Sequence, residues 1–402
     1  MLCTIAAAML LPAAVDLADH HDGWKIFLGS SLVTFFAGGL LVLFAHDENP
    51  PRIGLKEGFL LTTLSWAFIA AFGALPFVGH GLSYADAFFE TMSGLTTTGS
   101  TVIVGLDKLS RGILLWRALL VGFGDLGIIV IAIIMLPFLR VGGMQLFQTE
   151  SSDKSEKVLP RAFELTVATA GIFGLLVILC AGFYRWFGMT GFDAICHALA
   201  TLGTGGFSTH DASFAYFQVP AIEWTGTVFM ILGGMPFVIF IKALRGDPSS
   251  LWQDVQVRGF LGFLAAVSFI MAFWLTMTRK IAFLDALRLS SFNVTSIVTT
   301  TGFMSDDYTK WGTFAVGVFF MLMFVGGCSG STSGAIKIYR LQIAHMLTRS
   351  HFLHLVSPNR VVTLTYNGRR LPADVPFSVV SFLAIYFAMV GVFAVLYAGM
   401  GL

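Results

Sequence analysis

The chain has 402 residues, of which 56% are hydrophobic and 12% charged, with a mean hydropathy of +0.81 and a formal net charge of +1. An ordinary soluble domain carries roughly a quarter charged residues, so this composition excludes a soluble enzyme and describes a polytopic membrane protein. The near-zero charge gives no footprint for nucleic acid. Cys3, Cys180, Cys196 and Cys328 are scattered, with no CxxC and no metal-ligand spacing, so neither a disulfide framework nor zinc is indicated.

Crossing a ~30 Å hydrocarbon core takes about 20 helical residues. The opening MLCTIAAAMLLPAAVDLADHH has no Lys or Arg before its apolar stretch, the charge that marks a signal peptide, and is read as a first membrane helix. Apolar runs follow at Ser30–Ala45, Phe59–Val78, Leu114–Leu139, Phe163–Phe183, Trp224–Leu244, Gly259–Met277, Thr313–Val325 and Pro376–Ala398. If these alternate, Arg52, Lys56, Arg140, Lys154, Lys157, Lys242, Arg258, Lys337 and Arg340 collect on one side, which the positive-inside rule makes cytoplasmic.

Between the apolar runs one pattern recurs. Setting Gly99, Gly206 and Gly302 in register aligns MSGLTTTGSTV, LATLGTGGFST and TSIVTTTGFMS. Asp86 and Asp193 precede their glycines by the same interval, whereas the third copy has Leu289 there and Asp285 one helical turn earlier. Each copy lies between two apolar segments, so the unit reads as membrane helix, short helix, Thr/Gly strand, membrane helix.

Lipid tolerates irregular backbone only where it is buried in protein or faces a water-filled cavity. Several such strands around an axis make a ring of carbonyl oxygens able to replace a cation's hydration shell. Glycine permits the positive φ that helps neighbouring carbonyls face one side, and threonine adds an acceptor. Small-residue helix packing is the alternative for any single copy; three copies in register favour the strands.

After the third copy, FVGGCSGSTSGAIKIYR (Phe324–Arg340) breaks a membrane segment with Gly326, Gly327, Gly330 and Gly334. A phosphate-binding loop requires Gly-Lys-Ser/Thr, and Gly334 is followed by Ala335-Ile336-Lys337. The stretch reads as an intramembrane loop of low helix propensity, with a tight helix crossing as the alternative. Breaks are also expected at Val121–Ile129 and Ile231–Ile239. Asp125, in the first of these, is an ionisable residue inside a membrane run, where such a group faces a cavity or a partner. Asp107, Asp211, Asp306 and Asp307 fall on the side opposite the basic loops, as an acidic outer mouth or as ordinary loop charge.

Two other classes fit the residues less well. A membrane enzyme built on His197, His210 and Asp211 lacks a nucleophile elbow and an HExxH helix. A secondary transporter of another small solute is built from inverted halves, whereas these units run in one direction.

The motifs GALPF (Gly73–Phe77), DAFFETMSGLTTTG, GIIVIAIIMLP, VGGMQLF (Val141–Phe147), GGFSTHDAS and GGCSGSTSGAIK together resemble the Trk/Ktr/HKT superfamily of potassium transporters, in particular the bacterial TrkH/TrkG branch. The resemblance covers nearly the whole chain. It implies an all-α polytopic membrane protein with tandem helix–pore-loop–helix repeats arranged like a single-chain potassium channel. The division expected is an N-terminal helix pair at 1–55, pore repeats at 56–150, 151–250 and 251–350, and the start of a fourth at 351–402.

By the same resemblance, potassium binds at Thr97, Thr98, Thr204, Gly205, Thr300 and Thr301 through backbone carbonyls, with Gly99, Gly206 and Gly302 as filter glycines. The gating loop is Gly326, Gly327, Cys328, Ser329, Gly330, Ser331, Thr332, Ser333 and Gly334, with Lys337 beyond it. The implied setting is the bacterial inner membrane, as a homodimer docking a cytoplasmic nucleotide-binding ring of the TrkA/KtrA type, with no covalent cofactor. Glycine in each filter resembles the potassium-selective branches; relatives with serine in the first filter often pass sodium, and proton or sodium symport is the other variant. Asp125 stands where relatives commonly have glycine, and STSGAIK where they often read STGGGLK. Val78 to Gly99 is about 20 residues, and that spacing after Ala398 puts a fourth filter beyond Leu402, so the expectation is a C-terminally truncated chain.

Overall fold

In hydrocarbon only a helix satisfies every backbone N–H and C=O within one segment, and the long apolar runs fold accordingly. The computed structural model describes residues 1–44, 55–135, 158–360, 362–372 and 374–401. Arg52, Arg140, Lys154, Lys157 and the Val141–Phe147 motif lie outside the described residues. Apart from a hairpin pairing Thr365–Tyr366 with Arg369–Arg370, the regular structure described is helical.

Five described helices are long and apolar enough to span a membrane: Gly23–Phe44, Lys56–Gly79, Glu164–Trp186, Val255–Arg279 and Asp374–Gly399. Their large apolar side chains, among them Phe36, Leu43, Ile178, Phe273 and Val395, point outward, where lipid rather than water is the solvent. The chain is a multi-pass membrane protein.

The opening stretch is the helix expected, Leu2–Ala18, shorter than a full span. Its turns Leu2–Ala8 and Leu10–Ala18 run on through a helical Met9 and pack on Gly23–Phe44. Ser31 Oγ donates to the Ala6 carbonyl at 2.7 Å, and Gly38 lies against Leu2 and Cys3. Asp16 is fully buried at the far end; its carboxylate accepts from Gly112 N at 2.8 Å and Ser110 Oγ at 3.3 Å. The N-terminal N–H groups of the helix Arg111–Met135 are thus capped by a side chain nearly a hundred residues away in sequence.

Three units of outer helix, pore helix and inner helix follow. The first is Leu55–Gly73, Tyr84–Leu95 and Arg111–Met135. The second is Val158–Trp186, Gly191–Leu202 and the bent pair Pro220–Gly233 with Phe237–Leu244. The third is Val255–Arg279, Phe283–Val298 and Thr313–Leu322, whose inner helix resumes as Ile338–Val356.

The expected breaks resolve in opposite ways. Pro236 cannot continue a helix and restricts Met235 before it, so the span expected over Trp224–Leu244 turns by 91° at Gly234–Pro236. At Val121–Ile129 there is no break: the first inner helix runs straight through. Gly122 and Gly124 serve close packing, Gly124 against the Leu95 carbonyl with no room for a Cβ and Gly122 against Leu199.

Core side chains cluster by unit. Trp116 anchors the first, its Nε1 donating to Gly73 O at 3.0 Å. Phe214, Phe292 and Phe303 join the second to the third, and Phe260 and Phe319 lie inside the third.

Asp16→Ala leaves the Gly112 N–H without its acceptor in a buried setting. It is expected to lower stability by about 1–2 kcal/mol, read as a lower thermal unfolding midpoint of the detergent-solubilised protein, with Asp16→Asn intermediate.

Candidate ion pathway

Each pore helix begins at an acid. Ser83 Oγ accepts from Asp86 N at 3.2 Å and donates to Asp86 Oδ2 at 2.7 Å; Thr190 and Asp193 repeat this at 3.1 and 2.6 Å. The third helix has Asp285 in its first turn at the same place. It runs 16 residues where the other two run 12, which is why Leu289 occupied the aligned position and Asp285 stood one turn earlier. The carboxylates sit at the positive ends of the helix dipoles, so the negative ends point at the Thr/Gly strands.

Those strands share one backbone. Thr97, Thr204 and Thr300 have φ of +53°, +43° and +59°, and Gly99, Gly206 and Gly302 have +78°, +66° and +83°. Thr98, Gly205 and Thr301 between them are not left-handed. Such alternation is the arrangement that lets neighbouring carbonyls face one side. A β-branched residue at positive φ is strained by about 1–3 kcal/mol, so three threonines held this way in register require compensation.

Repeated hydrogen bonds provide it. Thr97 N, Thr204 N and Thr300 N donate to Gly94 O, Thr201 O and Ile297 O at 3.0, 3.2 and 3.0 Å. Thr98 N, Gly205 N and Thr301 N donate to Ser93 O, Ala200 O and Ser296 O at 2.9, 3.0 and 2.8 Å. The last pore-helix carbonyls are satisfied and the strand is pinned by the same bonds. Ser93 and Ser296 add a second pin through Oγ to Ser100 O and Phe303 O, at 2.6 and 2.7 Å.

Sequence reasoning missed the residues that hold the strands from behind. Nine positions before Gly99, Gly206 and Gly302 stand Glu90, His197 and Asn293, all buried. Glu90 accepts from Thr101 Oγ1 at 2.9 Å and Val102 N at 3.1 Å, and pairs with Arg117 Nε at 2.8 Å. Arg117 in turn donates to Ser208 O at 2.8 Å, tying the first unit to the second. His197 Nε2 meets Ser208 Oγ at 2.9 Å, and Asn293 Nδ2 donates to Ser305 Oγ at 2.9 Å. The signal was a polar residue at one aligned position of an apolar helix, concealed because its identity changes each time.

The strands stand side by side in chain order. A Cβ on Gly99 would strike Gly205 O, and one on Gly206 would strike Thr301 O; at Gly302 nothing described lies within 4 Å. Only glycine allows the first two approaches.

The Gly326–Gly334 segment lies against the same strands. Val325 and Ile336 close its neck as a parallel bridge, with Gly326 N donating to Ile336 O at 2.8 Å. Gly334 N donates to Thr300 Oγ1 at 2.7 Å, and Thr332 Oγ1 donates to Leu202 O at 3.0 Å and meets Thr204 Oγ1 at 3.3 Å. Cys328 N and Thr332 N take the carbonyls freed by the bend, Gly234 O and Gly233 O, at 2.9 and 3.3 Å. Ser329 N reaches Gln256 Oε1 at 2.9 Å, Ser331 and Ser333 exchange a hydroxyl bond at 2.9 Å, and Lys337 Nζ donates to Ser333 O. Gly327 has no room for a Cβ beside Gly234, and Gly330 is left-handed at φ +81° while its carbonyl accepts from Phe237 N at 3.1 Å. The nine sequence-predicted strand residues and this segment therefore form one contiguous polar set.

The outer carboxylates are engaged rather than free. Asp211 accepts from Gly105 N and Leu106 N at 3.0 and 3.1 Å, and Asp306 accepts from Trp311 Nε1 at 2.8 Å. His210 stacks on Tyr216 and hydrogen-bonds Asp107, and that bond holds the Asp107 carboxyl below its ordinary value. The contribution is present above the ordinary carboxylate range and is lost as pH falls through the lowered value; with Asp107 half exposed it is small. His197, His210 and Asp211 are thus structural partners, and the hydroxyl that faces His197, Ser208 Oγ, is itself held by His210 N at 3.0 Å.

A family model described as cation transport protein, TrkH, matches residues 23–398. The Trk system potassium uptake protein TrkI of Halomonas elongata is 42% identical over 389 residues, 96% of this chain and 79% of that protein. The Trk system potassium uptake protein TrkH of Escherichia coli K12 is 35% identical over 395 residues, 96% of this chain and 81% of that one. The crystal structure of the potassium transporter TrkH from Vibrio parahaemolyticus superposes with a TM-score of 0.87 at 33% identity, covering 96% of this chain and 81% of that chain.

Removing one member of the buried Glu90–Arg117 pair, by Glu90→Gln or Arg117→Met, is expected to cost about 3–5 kcal/mol, and the double substitution less than either. Asn293→Ala is expected to cost about 1–3 kcal/mol. Thermal unfolding in detergent ranks the four proteins.

Proposed function

The chain belongs to the TrkH family of cation transport proteins, and from that premise we propose that it carries potassium into the cell through a pathway lined by the backbone carbonyls of its Thr/Gly strands. The observation that carries the reading is the triplicate backbone: left-handed at Thr97, Thr204 and Thr300 and again two residues later at Gly99, Gly206 and Gly302. A potassium ion gives up hydration water only where an equivalent set of oxygens replaces it without rearrangement. Strands pinned by the same hydrogen bonds in all three units supply that rigidity, and three pore-helix C-termini add their negative dipole ends.

In this reading the ion meets Thr97, Thr98, Thr204, Gly205, Thr300 and Thr301 in turn. The Gly326–Gly334 loop beneath them is the barrier, because its Gly334 N–H takes Thr300 Oγ1 of the third strand and its Thr332 hydroxyl donates to Leu202 O and accepts from Thr204 Oγ1 at the second. The relatives are named as transporters, not enzymes; potassium is cargo, and no cofactor takes part. The setting we assign is the bacterial inner membrane, with a second copy and a cytoplasmic regulatory ring of the TrkA type as partners. The match to Trk-system subunits over 96% of the chain supports both.

Rubidium uptake at micromolar potassium, in a potassium-uptake-deficient bacterial strain expressing the protein from its intact gene, tests the reading. Gly206→Ala combines an unfavourable φ with a collision at Thr301 O and is expected to abolish uptake. Gly302→Ala meets only the backbone strain, about 1–2 kcal/mol, and is expected to retain part of it. Membrane-inserted, folded Gly206→Ala protein with unchanged uptake would remove the strands from the pathway.

A further inference from the structure

An Asn-Gly pair closes a two-residue hairpin because both central positions take positive φ, and Asn367 and Gly368 stand at +51° and +76°. The hairpin they close, Thr365–Tyr366 with Arg369–Arg370, follows the helix Ile338–Val356 on the side that the positive-inside rule makes cytoplasmic. Tyr366 is buried, whereas Thr365, Asn367, Gly368 and Arg370 are exposed. Its ring meets Tyr339 edge-on at 5.0 Å and joins a cluster with Ile343, Leu371 and Val375. The hairpin is thus seated on the helix that resumes directly after the Gly326–Gly334 loop.

From Tyr366 a run of hydrogen bonds leads to that loop. Tyr366 Oη donates to Gln342 Oε1 at 2.5 Å, and Gln342 Nε2 donates to Val255 O at 3.0 Å. Gly259, one turn further along, leaves Gln342 the room: a Cβ there would lie 2.3 Å from Nε2. Asn367 Nδ2 reaches Asp254 Oδ2 at 3.4 Å, while Asp254 Oδ1 caps the helix through Gln256 N and Val257 N at 2.8 and 3.2 Å. The hairpin therefore holds the first turn of the third outer helix at both Asp254 and Val255. Gln256, in that same turn, is buried, and its Oε1 accepts from Ser329 N at 2.9 Å. No other acceptor serves the Ser329 N–H among the described residues, and a buried N–H left without one carries its full desolvation cost.

We infer that Gln256 is a positioning residue for the Gly326–Gly334 loop and that the Tyr366 hairpin sets its place. Displacing the hairpin withdraws Gln342 from Val255 and loosens the turn that carries Gln256, and the loop then leaves its seat more often. Every link from Tyr366 to Ser329 is a hydrogen bond or a step along one helical turn, the contiguous kind of path that coupling requires. The barrier thereby gains an input from the membrane surface. The consequence for transport rests on reading that loop as the barrier.

Cys328, beside Ser329 in the chain, reports the loop. It is fully buried and its N–H is bonded to Gly234 O at 2.9 Å, so alkylation requires the loop to move. With Cys3, Cys180 and Cys196 replaced, the rate of Cys328 modification by N-ethylmaleimide is followed by mass spectrometry in the purified protein. Gln256→Met keeps the side-chain volume but removes the acceptor, and is expected to raise the rate about tenfold, the factor that one lost hydrogen bond of ordinary worth gives. Gln256→Glu keeps an acceptor oxygen at the same reach and is expected to keep the slow rate. Tyr366→Phe removes one hydroxyl at the far end of the run and is expected to raise the rate about threefold, a smaller share of the same coupling. Combined with Gln256→Met it adds nothing, because both act through one bond. Gln256→Leu replaces Gln256→Met should the latter not purify folded.

An unchanged rate in Gln256→Met or in Tyr366→Phe would overturn the inference, as would Gln256→Glu as fast as Gln256→Met. Factors that multiply in the double substitution would mean two independent effects and would also overturn it. A matched protein retaining only Cys180, buried in the second outer helix, is expected to keep its slow rate with either substitution; its acceleration would mean general loosening and would equally sink the idea. The readout uses no ion flux, so a failure of potassium uptake leaves this result standing, and an unchanged Cys328 rate leaves the filter reading standing.

Discussion

Backbone polar groups at membrane depth have to be satisfied without water, and the remaining features of this protein answer that requirement. A Thr/Gly strand that leaves its helix exposes carbonyls and N–H groups together. The two are separated by giving the N–H groups to the pore helix just left behind, while the carbonyls of Thr97, Thr98, Thr204, Gly205, Thr300 and Thr301 have no partner among the described residues. Thr98 N to Ser93 O, Gly205 N to Ala200 O and Thr301 N to Ser296 O are the same bond in three units. Polar capacity is thereby retained on one side of the strand and removed from the other.

The units differ where they are held from behind. Glu90 carries a charge and needs Arg117, whose guanidinium also lies 4.1 Å from the Phe207 ring centroid. His197 and Asn293 do the same work as neutral donors and acceptors, each spanning to a serine beyond its strand. Three chemistries at one geometric position imply that the constraint is on the shape of the strand rather than on the residue behind it. The charged solution has a further consequence: Arg117 reaches Ser208 O and so binds the first unit to the second, which a neutral side chain of that length would not do.

The loop below the strands satisfies the same requirement from the opposite direction. A bent inner helix leaves Gly233 O and Gly234 O unpaired, and the loop's Thr332 N and Cys328 N take them. Each contact between loop and strand is a single hydroxyl or N–H bond, worth on the order of 1 kcal/mol net. A segment held by several weak polar contacts, rich in glycine and with little apolar burial of its own, belongs to the low-stability end of a fold. Rigid strands beside a more weakly held loop are in keeping with the gating role proposed for it.

Class, number of units and strand register were legible in the sequence, because each depends on local properties. Apolar length decides what spans lipid, and the positive φ at Gly99, Gly206 and Gly302 follows from residues adjacent in the chain. Pro236 announced its bend for the same reason. The Val121–Ile129 break was misjudged because glycine has two uses, weakening a helix and admitting a neighbour; what packs on Gly124 decides between them. Glu90, His197 and Asn293, the capping of one helix by Asp16, the side-by-side order of the strands and the approach of Asp125 to Gly203 at the end of the second pore helix came only with the tertiary structure. Those contacts join residues far apart in sequence and unlike in kind, so no period or spacing announces them, and packing alone decides which polar groups meet.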